Sequence, residues 1–315
     1  MNRLLTVLLA IPLVSLLTGC QGNLVHVESD FTMRSDWKDF DRVTVRTRNG
    51  HVDLRCDAAQ TEVSIRGVKK AGGLTIGEAN DNLEALEIVA APDPSDAKNL
   101  TIELRFPEEL RNKSLGASFD IHVPQGCPAE IQTSNGRIVA NGLKGRVRLE
   151  SSNGRVNAEQ IDGDVQIETS NGGVVARQIK GKLRAQSSNG RISIDGVTGD
   201  CTLETSNASL EIANVTGSID AETNNGNVRI DSTPPAEGRV RAVSSNGSIV
   251  AWAPATMKGR LDLRTSNGHL TTNLGPATLG SPRWSQNALQ ADLNGGGQGQ
   301  LFLHTSNGSI TLNCR

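Results

Sequence analysis

Hydrophobic and polar residues alternate in short runs along the second half of the chain, and the pattern recurs every eighteen residues. After Asn153, Val156 and Ala158 alternate with polar residues, and Val165 and Ile167 do so in a second run. A period of two is typical of β-strands that bury one face. The pattern therefore predicts two short strands in each unit, with their apolar side chains directed inward.

Each unit begins at a Ser-Asn-Gly tripeptide or a close variant of it. Self-similarity at a short fixed period indicates units that bury their apolar faces by stacking on one another. Asn-Gly tolerates positive φ and so suits a sharp corner. We expect the asparagines to mark one corner of every unit and to form a ladder of side-chain hydrogen bonds. These repeat asparagines are Asn135, Asn153, Asn171, Asn189, Asn207, Asn225, Asn246, Asn267 and Asn307.

A second corner is predicted ten residues after each asparagine, where glycine recurs. Five glycines in register indicate one backbone conformation used five times. Later units gain three residues, in 234–237 and 254–257, which is the expected place for insertions because corners are surface loops. Asn287 marks a degraded copy, so ten stacked units are expected from Asn135 to Asn307. The glycines are Gly145, Gly163, Gly181, Gly199 and Gly217.

Two folds fit this pattern locally. Asn-Gly between alternating runs is a strong hairpin signal and could produce an antiparallel meander. A single meandering sheet, however, would leave one apolar face open, whereas a coil places first strands in one sheet and second strands in another and closes both on a shared interior. The predicted fold class is therefore all-β, a parallel β-solenoid of the β-helix or β-roll kind with two strands in each rung of about eighteen residues.

The repeat is weaker before Asn135. Residues 43–54 look like an early rung, and 61–65, 86–90, 100–106 and 118–123 are predicted to form longer strands, with a short helix near 78–86. A solenoid needs its end covered to avoid open-edge association. This region, which contains Trp37, Phe40, Phe106 and Phe119, is therefore predicted to form a β-rich N-terminal cap.

The N-terminal segment predicts export. Residues 4–17 form an apolar run that follows Arg3 and precedes Leu-Thr-Gly-Cys, a sequence similar to a bacterial lipobox. We predict that Cys20 becomes the lipid-bearing N-terminus and anchors the protein to a membrane, and Gln21 suits outer-membrane sorting. The expected organisation is a lipoprotein signal peptide over 1–19, a lipidated tether over 20–30, a β-rich capping region over 31–130 and β-solenoid repeats over 131–315.

Composition narrows the function classes. The formal net charge is −2 without a basic block, which argues against nucleic acid as a partner. Cys201 occupies an apolar repeat position and is interpreted as a core residue, while Cys56, Cys127 and Cys314 could include one disulfide whose pairing the sequence leaves open. Histidine and cysteine spacing predicts no metal site, and no motif calls for a cofactor.

Two columns of charged residues are candidate ligand-facing surfaces. Carboxylates stacked at strand spacing repel unless a cation or neighbouring arginines compensate them, and screening by Arg148, Arg184 and solvent is the simpler interpretation. The arginines could contact anionic glycans or lipid headgroups, although such a column is commonly only a solvated face. The acidic column comprises Glu150, Glu168, Glu204 and Glu222, and the basic column comprises Arg137, Arg155 and Arg191.

The lipobox, the strand-rich entry region and the Thr/Ser-Ser-Asn-Gly-x-Val/Ile-x-Ala units together resemble a bacterial family of putative adhesins, a β-strand-repeat domain of unknown function, over about residues 40–315. The resemblance implies an extracytoplasmic β-solenoid without established catalytic residues. Our leading hypothesis is a lipid-anchored cell-envelope protein with a non-catalytic, adhesin-like or scaffolding role and a cell-surface glycan or envelope protein as partner. The alternatives are a β-solenoid enzyme acting on polysaccharide and a periplasmic accessory or sensor module for envelope stress.

Overall fold

A computed structural model describes residues 8–9, 24–124 and 126–315 of the chain. The predicted lipid-attachment residue, Cys20, lies outside the described residues. Contacts divide the chain into two units, Met1–Gly154 and Arg155–Arg315, so the predicted repeats belong to both. No helix in the described ranges is both long and apolar enough to cross a bilayer.

The first unit consists of eleven strands, one α-helix and a short 3-10 helix at Glu108–Leu110. Its helix is α1 (Ile76–Glu84). Its strands are β1 (Leu8–Leu9), β2 (Val25–Asp36), β3 (Arg42–Arg46), β4 (Val52–Cys56), β5 (Glu62–Gly73), β6 (Glu87–Asp93), β7 (Asp96–Arg105), β8 (Leu115–Val123), β9 (Ala129–Thr133), β10 (Ile138–Asn141) and β11 (Val147–Ser151).

The second unit consists of strands alone among its described elements. They are β12 (Val156–Asp162), β13 (Val165–Thr169), β14 (Val174–Lys180), β15 (Leu183–Ser187), β16 (Ile192–Val197), β17 (Cys201–Thr205), β18 (Leu210–Val215), β19 (Ile219–Thr223), β20 (Val228–Asp231), β21 (Arg239–Ser244), β22 (Ile249–Ala253), β23 (Gly259–Thr265), β24 (Leu270–Asn273), β25 (Leu279–Trp284), β26 (Ala288–Leu293), β27 (Gly299–Thr305) and β28 (Ile310–Cys314).

The predicted early rung exists, but it is not at the end of the first unit. Its two strands, β3 and β4, pair in parallel with β9 and β10 on one side and with β7 and β8 on the other. The two sheets of this unit have the orders β1-β2-β5-β8-β4-β10 and β6-β7-β3-β9-β11. The first rung in sequence is therefore internal, because the longer strands of the predicted cap fold over it.

The predicted short helix begins two residues earlier than expected, at Ile76, because Thr75 caps it. The Thr75 hydroxyl accepts a hydrogen bond from the Glu78 backbone N–H at 3.1 Å, and the Glu78 carboxylate accepts one from the Leu74 N–H at 2.7 Å. This reciprocal arrangement resembles a capping box. The helix packs its Ala79 and Leu83 into an apolar cluster of the cap.

One domain prediction needs correction at its edge. Residues 25–30, expected to be tether, belong to β2, which pairs antiparallel with β5 along twelve residues. Val27 is fully buried and joins the apolar cluster beneath α1, and Phe31 packs edge-on against Phe119 with ring centroids 5.7 Å apart. Burial of alternate side chains therefore draws the segment into the sheet.

The winding predicted for the repeats is confirmed in the second unit. First strands pair in parallel with first strands, and second strands with second strands, at a constant offset. Val156 is aligned with Val174 and Val165 with Leu183, and all of these side chains are buried. Cys201 occupies the core column as predicted, aligned with Leu183.

The sequential stacking stops after the rung of Asn246. There the last rung of the chain, β27 and β28, is inserted between β21/β22 and β23/β24. The degraded copy at Asn287 is not a rung, because β26 turns back and pairs antiparallel with β23, and β25 pairs antiparallel with β26. The expectation of ten successive rungs is therefore wrong at this end. The sheets of the unit have the orders β12-β14-β16-β18-β20-β22-β28-β24 and β13-β15-β17-β19-β21-β27-β23-β26-β25.

The Ser-Asn-Gly corner has a different physical basis from the one predicted. Among the described residues with positive φ there is no repeat asparagine and no glycine directly after one. Glycine is required instead because the rungs approach closely: a Cβ on Gly190 would lie 1.8 Å from the carbonyl oxygen of Gly172. The buried residue three positions before the glycine completes the corner, since the Ser187 hydroxyl accepts from the Gly190 N–H and donates to the Gly172 carbonyl.

The glycines of the second corner do not share one conformation either. Gly145 has φ +85° and Gly181 +154°, whereas Gly199 and Gly217 do not have positive φ. Close stacking is again the common cause, because a Cβ on Gly181, Gly199 or Gly217 would lie 2.2–2.4 Å from the carbonyl oxygen of the preceding glycine.

The inserted segments 234–237 and 254–257 lie in loops between strands, as predicted. Four cysteines fall in the described ranges, Cys56, Cys127, Cys201 and Cys314, and all four are free thiols. The disulfide left open by the sequence is therefore not formed among them. Burial raises the pKa of Cys127 and of Cys201 to about 12.

Candidate functional site

The repeat asparagines line up along the Ser-Asn-Gly corner of each unit. In the first unit the Asn135 amide donates to Asn49 at 2.5 Å and the Asn153 amide to Asn135 at 2.6 Å. In the second unit each amide group donates to the carbonyl oxygen of the next asparagine at 2.7–2.8 Å, in the order Asn267, Asn307, Asn246, Asn225, Asn207, Asn189 and Asn171. The ladder follows spatial order, and it holds the corners in a fixed register.

The acidic column is internally compensated. Glu204 accepts a hydrogen bond from Gln186 at 2.7 Å, and Glu222 accepts one from Arg241 at 3.0 Å. Glu168 accepts from Gln166 at 2.6 Å, and in the first unit Arg148 forms an ion pair with Glu150. No group of three or more metal-ligating side chains occurs within the described ranges. The carboxylates of this column are therefore paired with neighbouring hydrogen-bond donors.

The basic column is not continuous. Gly173 occupies the equivalent position in the rung between those of Arg155 and Arg191, because the strands that directly follow these three residues, β12, β14 and β16, are aligned. Arg191 forms an exposed ion pair with Glu211 at 3.3 Å, and Arg137 in the first unit is exposed. Within the second unit, Arg155 and Arg191 are therefore not on neighbouring rungs, and the charge of Arg191 is paired with Glu211.

A polar groove lies near the far end of the second unit, and we call it the terminal groove. Non-sequential stacking brings together three corner serines, Ser245, Ser306 and Ser266, which directly follow the adjacent strands β21, β27 and β23. The degraded repeat closes one side, because Asn287 accepts from the Thr265 N–H at 2.9 Å and donates through its amide to the Ser266 carbonyl at 2.8 Å. The resulting cavity measures about 410 Å³.

A cluster of charged and aromatic side chains borders the terminal groove. Asp262 is buried, and its carboxylate accepts hydrogen bonds from Arg264 at 2.8 and 2.9 Å, from Gln290 at 3.0 Å and from His304 Nε2 at 3.1 Å. The His304 ring also stacks on Phe302, with centroids 3.5 Å apart. Arg264 and His304 line the groove, so the buried carboxylate orients two of its polar groups.

The protonation states of this cluster follow from its contacts. Burial tends to raise the pKa of Asp262, but hydrogen bonds from Gln290, His304 and Arg264 outweigh it, and the net pKa is lowered. Burial also lowers the pKa of His304, although Asp262 opposes the shift. At neutral pH the carboxylate is ionised and the imidazole is neutral. Because Nε2 donates to Asp262, Nδ1 is left as a hydrogen-bond acceptor.

The polar groups in the lining of the groove are hydroxyl, amide, imidazole and guanidinium groups. Its lining contains no carboxylate, so it lacks the pair of acids that glycoside hydrolysis requires. In the part of the chain that the structure describes, no serine hydroxyl of the groove donates to His304, so a nucleophile and base are not assembled. The groove does offer serine hydroxyls, an arginine whose charge is neutralised by Asp262 and an imidazole acceptor.

Sequence reasoning missed this groove. Asp262 and His304 are separated by 42 residues, and they meet only because β27 is inserted beside β23. A weak signal was present in the sequence. The outward position held by Arg241 in β21 is held by Phe302 in β27 and by Asp262 in β23.

Comparison with known proteins gives one strong result. The chain is similar to two solved structures. A putative cell adhesion protein from Clostridium sporogenes is 11% identical, and the match covers 91% of this chain and 99% of that chain with a TM-score of 0.24. A putative adhesin from Bacteroides fragilis is 12% identical, and the match covers 94% of this chain and 98% of that chain with a TM-score of 0.30. Comparison with curated proteins finds no significant match. The Toastrack DUF4097 model, by contrast, matches residues 38–313, which extend from before β3 into β28 and include the repeats. The chain belongs to the Toastrack DUF4097 family.

Proposed function

We propose that this protein is a lipid-anchored component of the bacterial cell envelope with a non-catalytic, adhesin-like role, and that its terminal groove binds a hydroxyl-rich ligand of the cell-surface glycan class. The observation that carries the proposal is the composition of the groove: three corner serines, an imidazole acceptor and a charge-neutralised arginine around a cavity of about 410 Å³. Sugars present many hydroxyls that both donate and accept, and such a lining pairs with both roles.

The ladder beneath the groove supports binding by pre-ordering it. Asn246, Asn307 and Asn267 hold the three serine-bearing corners in register through hydrogen bonds of 2.7 and 2.8 Å. A ligand that contacts ordered groups loses less conformational entropy in the complex, so more of the contact energy appears as affinity.

Binding can be tested with detergent-extracted full-length protein on an array of defined bacterial and host glycans. We expect the double variant Ser266→Ala/Ser306→Ala to lose at least tenfold in affinity for any glycan that the natural protein binds. The matched control is Ser188→Ala/Ser206→Ala, which removes the same groups from earlier corners of the same unit and should bind normally. Equal binding by both variants would exclude the groove, and release of new reducing ends from a bound glycan would contradict a non-catalytic role.

The anchor is tested separately through Cys20. The apolar run before Leu-Thr-Gly-Cys motivates it, and replacing Cys20 with alanine should move the protein out of the membrane fraction. Protease treatment of intact cells then distinguishes an outward-facing protein from a periplasmic one. A Cys20→Ala protein that stayed with the membrane would contradict lipid anchoring.

A further inference from the structure

Two cysteines flank the cap of the first unit in sequence. Cys56 ends β4, and Cys127 lies two residues before β9. Residues 57–126 between them include α1 and the strands β5 to β8, and both cysteines are free thiols in this structure. The sequence leaves open which cysteines could pair, whereas the fold places these two at one corner.

Cys56 lies beside Gly142 of the next rung. The parallel register of β4 and β10 runs up to the residue before each of them, and a Cβ added to Gly142 would be 3.0 Å from the Cβ of Cys56. Val52 and Leu54 of β4 are buried in the core, and alternation along a strand directs the Cys56 side chain to the same side. Cys56 therefore lies on the inner side of the second corner.

Cys127 lies at the same corner, level with Gly145. The parallel register of β9 and β11 begins two residues after each of them, and a Cβ added to Gly145 would be 2.9 Å from the Cγ of Pro128. The residue before Cys127 is also close to the corner, because a Cβ added to Gly126 would be 2.8 Å from the carbonyl oxygen of Gly142. Cys127 is buried, so its thiol lies on the inner side as well.

The two cysteines thus occupy, one rung earlier, the positions of Gly142 and Gly145, which are three residues apart in a single corner. These glycines have φ +71° and +85°, and residues three apart in a sharp turn have Cα atoms within about 7 Å of each other. A disulfide spans Cα separations of up to about 6.8 Å. From β10 to β11 the chain itself runs through this corner, whereas from β4 it leaves into the cap and returns only at β9. A bond between Cys56 and Cys127 would close the corner that the chain leaves open.

The two thiols differ in access and in acidity. Burial raises the pKa of Cys127 to about 12, and the nearby Cys56 adds to the shift. Burial also raises the pKa of the half-buried Cys56, but Lys144 opposes this shift. The thiolate is the attacking species in exchange with a disulfide. An external disulfide therefore meets Cys56 first, and Cys127 follows from within the protein.

We propose that Cys56 and Cys127 form a disulfide that links the two ends of the cap, with the disulfide of a thiol oxidase as the oxidant. The Cys56 thiolate attacks one sulfur of that disulfide and releases the other as a thiol. Cys127 then attacks the Cys56 sulfur and releases the second thiol of the oxidant. Two protein thiols are oxidised, one external disulfide is reduced, and the two protons pass to the released thiols.

This bond would stabilise the first unit. A disulfide acts chiefly by restricting the unfolded chain, and its effect grows with the length of the loop that it closes. Here the loop is the whole of 57–126, so the cap could not separate from the early rung at both ends. The export proposed above would expose the chain to thiol oxidases, since disulfides form in extracytoplasmic compartments.

Oxidation of the purified, folded full-length protein with oxidised glutathione tests the pairing, and its outcome does not depend on the lipid anchor or on glycan binding. After alkylation of the remaining thiols and digestion without reduction, mass spectrometry should find the Cys56 and Cys127 peptides joined in most molecules. Cys201 and Cys314 should be alkylated. Far-UV circular dichroism should show that the oxidised protein melts several degrees above the reduced protein.

Cys56→Ala should abolish both the joined peptides and the rise in melting temperature. The matched control is Cys314→Ala, which removes a buried thiol from the second unit and should retain both effects. Three results would overturn the proposal: alkylation or glutathione on Cys56 and Cys127 of the oxidised protein, a bond from either cysteine to another thiol or another chain, or joined peptides that appear only after unfolding in urea.

Discussion

The close approach of the rungs makes a sharp prediction for two glycines of the Ser-Asn-Gly corners: Gly190 is the third residue of its tripeptide, and Gly173 directly follows the third residue of its own. A Cβ added to Gly190 would lie 1.8 Å from the carbonyl oxygen of Gly172, although a Cβ needs a separation of at least 3.0 Å from such an atom. A Cβ added to Gly173 would meet its nearest atom, the carbonyl oxygen of Arg191, at 3.4 Å, an ordinary contact. Neither glycine has positive φ, so the two substitutions differ chiefly in this steric contact.

The magnitude follows from overpacking. Forcing a methyl group into a closely packed site typically costs about 1–3 kcal/mol. The corner can yield to some extent, because Ala208 occupies the equivalent position one rung further on, so complete unfolding is not expected. Where alanine fits without strain, replacing glycine stabilises by about 0.4–1 kcal/mol through the unfolded chain. Gly190→Ala should thus lower the free energy of unfolding by about 1–3 kcal/mol, and Gly173→Ala should leave it unchanged or raise it slightly.

Urea denaturation followed by far-UV circular dichroism measures the difference. With a slope of about 3 kcal/mol per molar urea, the Gly190→Ala midpoint should fall by about 0.3–1 M. Gly173→Ala is the control for a general intolerance of alanine at corners. If the two variants had the same midpoint, contact between rungs could not be the reason for glycine at the Ser-Asn-Gly corner.

Three further predictions concern other groups of the second unit. Asn207→Ala removes two ladder hydrogen bonds of 2.8 Å and should lower the unfolding free energy by about 1–2 kcal/mol, with no loss if the ladder contributes nothing. Ser187→Ala leaves a buried backbone N–H unpaired and should cost about 1–3 kcal/mol, whereas alanine at the exposed serine that follows it should have little effect. The pKa values of Asp262 and His304 are both lowered from their ordinary 3.8 and 6.5, so each group adds stability at neutral pH that is lost on acidification. Thermal unfolding of Asp262→Asn should therefore depend less on pH than that of the natural protein between about pH 5 and pH 3, and an identical dependence would contradict the pKa assignment.

Much of the fold could be predicted from local patterns. Alternation of apolar residues at Val156, Ala158, Val165 and Ile167 specifies strands and their buried faces, because side chains on a strand point alternately to opposite sides. The constant period then makes equivalent residues stack, since only stacking buries both apolar faces. These features depend on neighbours in sequence, so the sequence suffices to infer them.

The ends of the chain depend on contacts that no local pattern records. In the first unit, β3 and β4 are covered by strands that follow them in sequence. In the second unit, β27 lies between β21 and β23, and β28 lies between β22 and β24, although both come later in the sequence than these neighbours. Several rungs have similar apolar faces and could stack in more than one order, so the choice among orders belongs to the whole packed structure. That choice brings Asp262 to His304 and three distant serines into one groove.

The eighteen-residue repeat thus determined the strands, their inward faces and the parallel winding, because each follows from burial of apolar side chains within one rung and its neighbour. Tertiary structure alone decided the order of the last rungs, the reason for glycine at the corners and the position of the terminal groove. All three depend on which backbone lies within a few ångströms of which other backbone, and distances between remote segments exist only once the chain has folded.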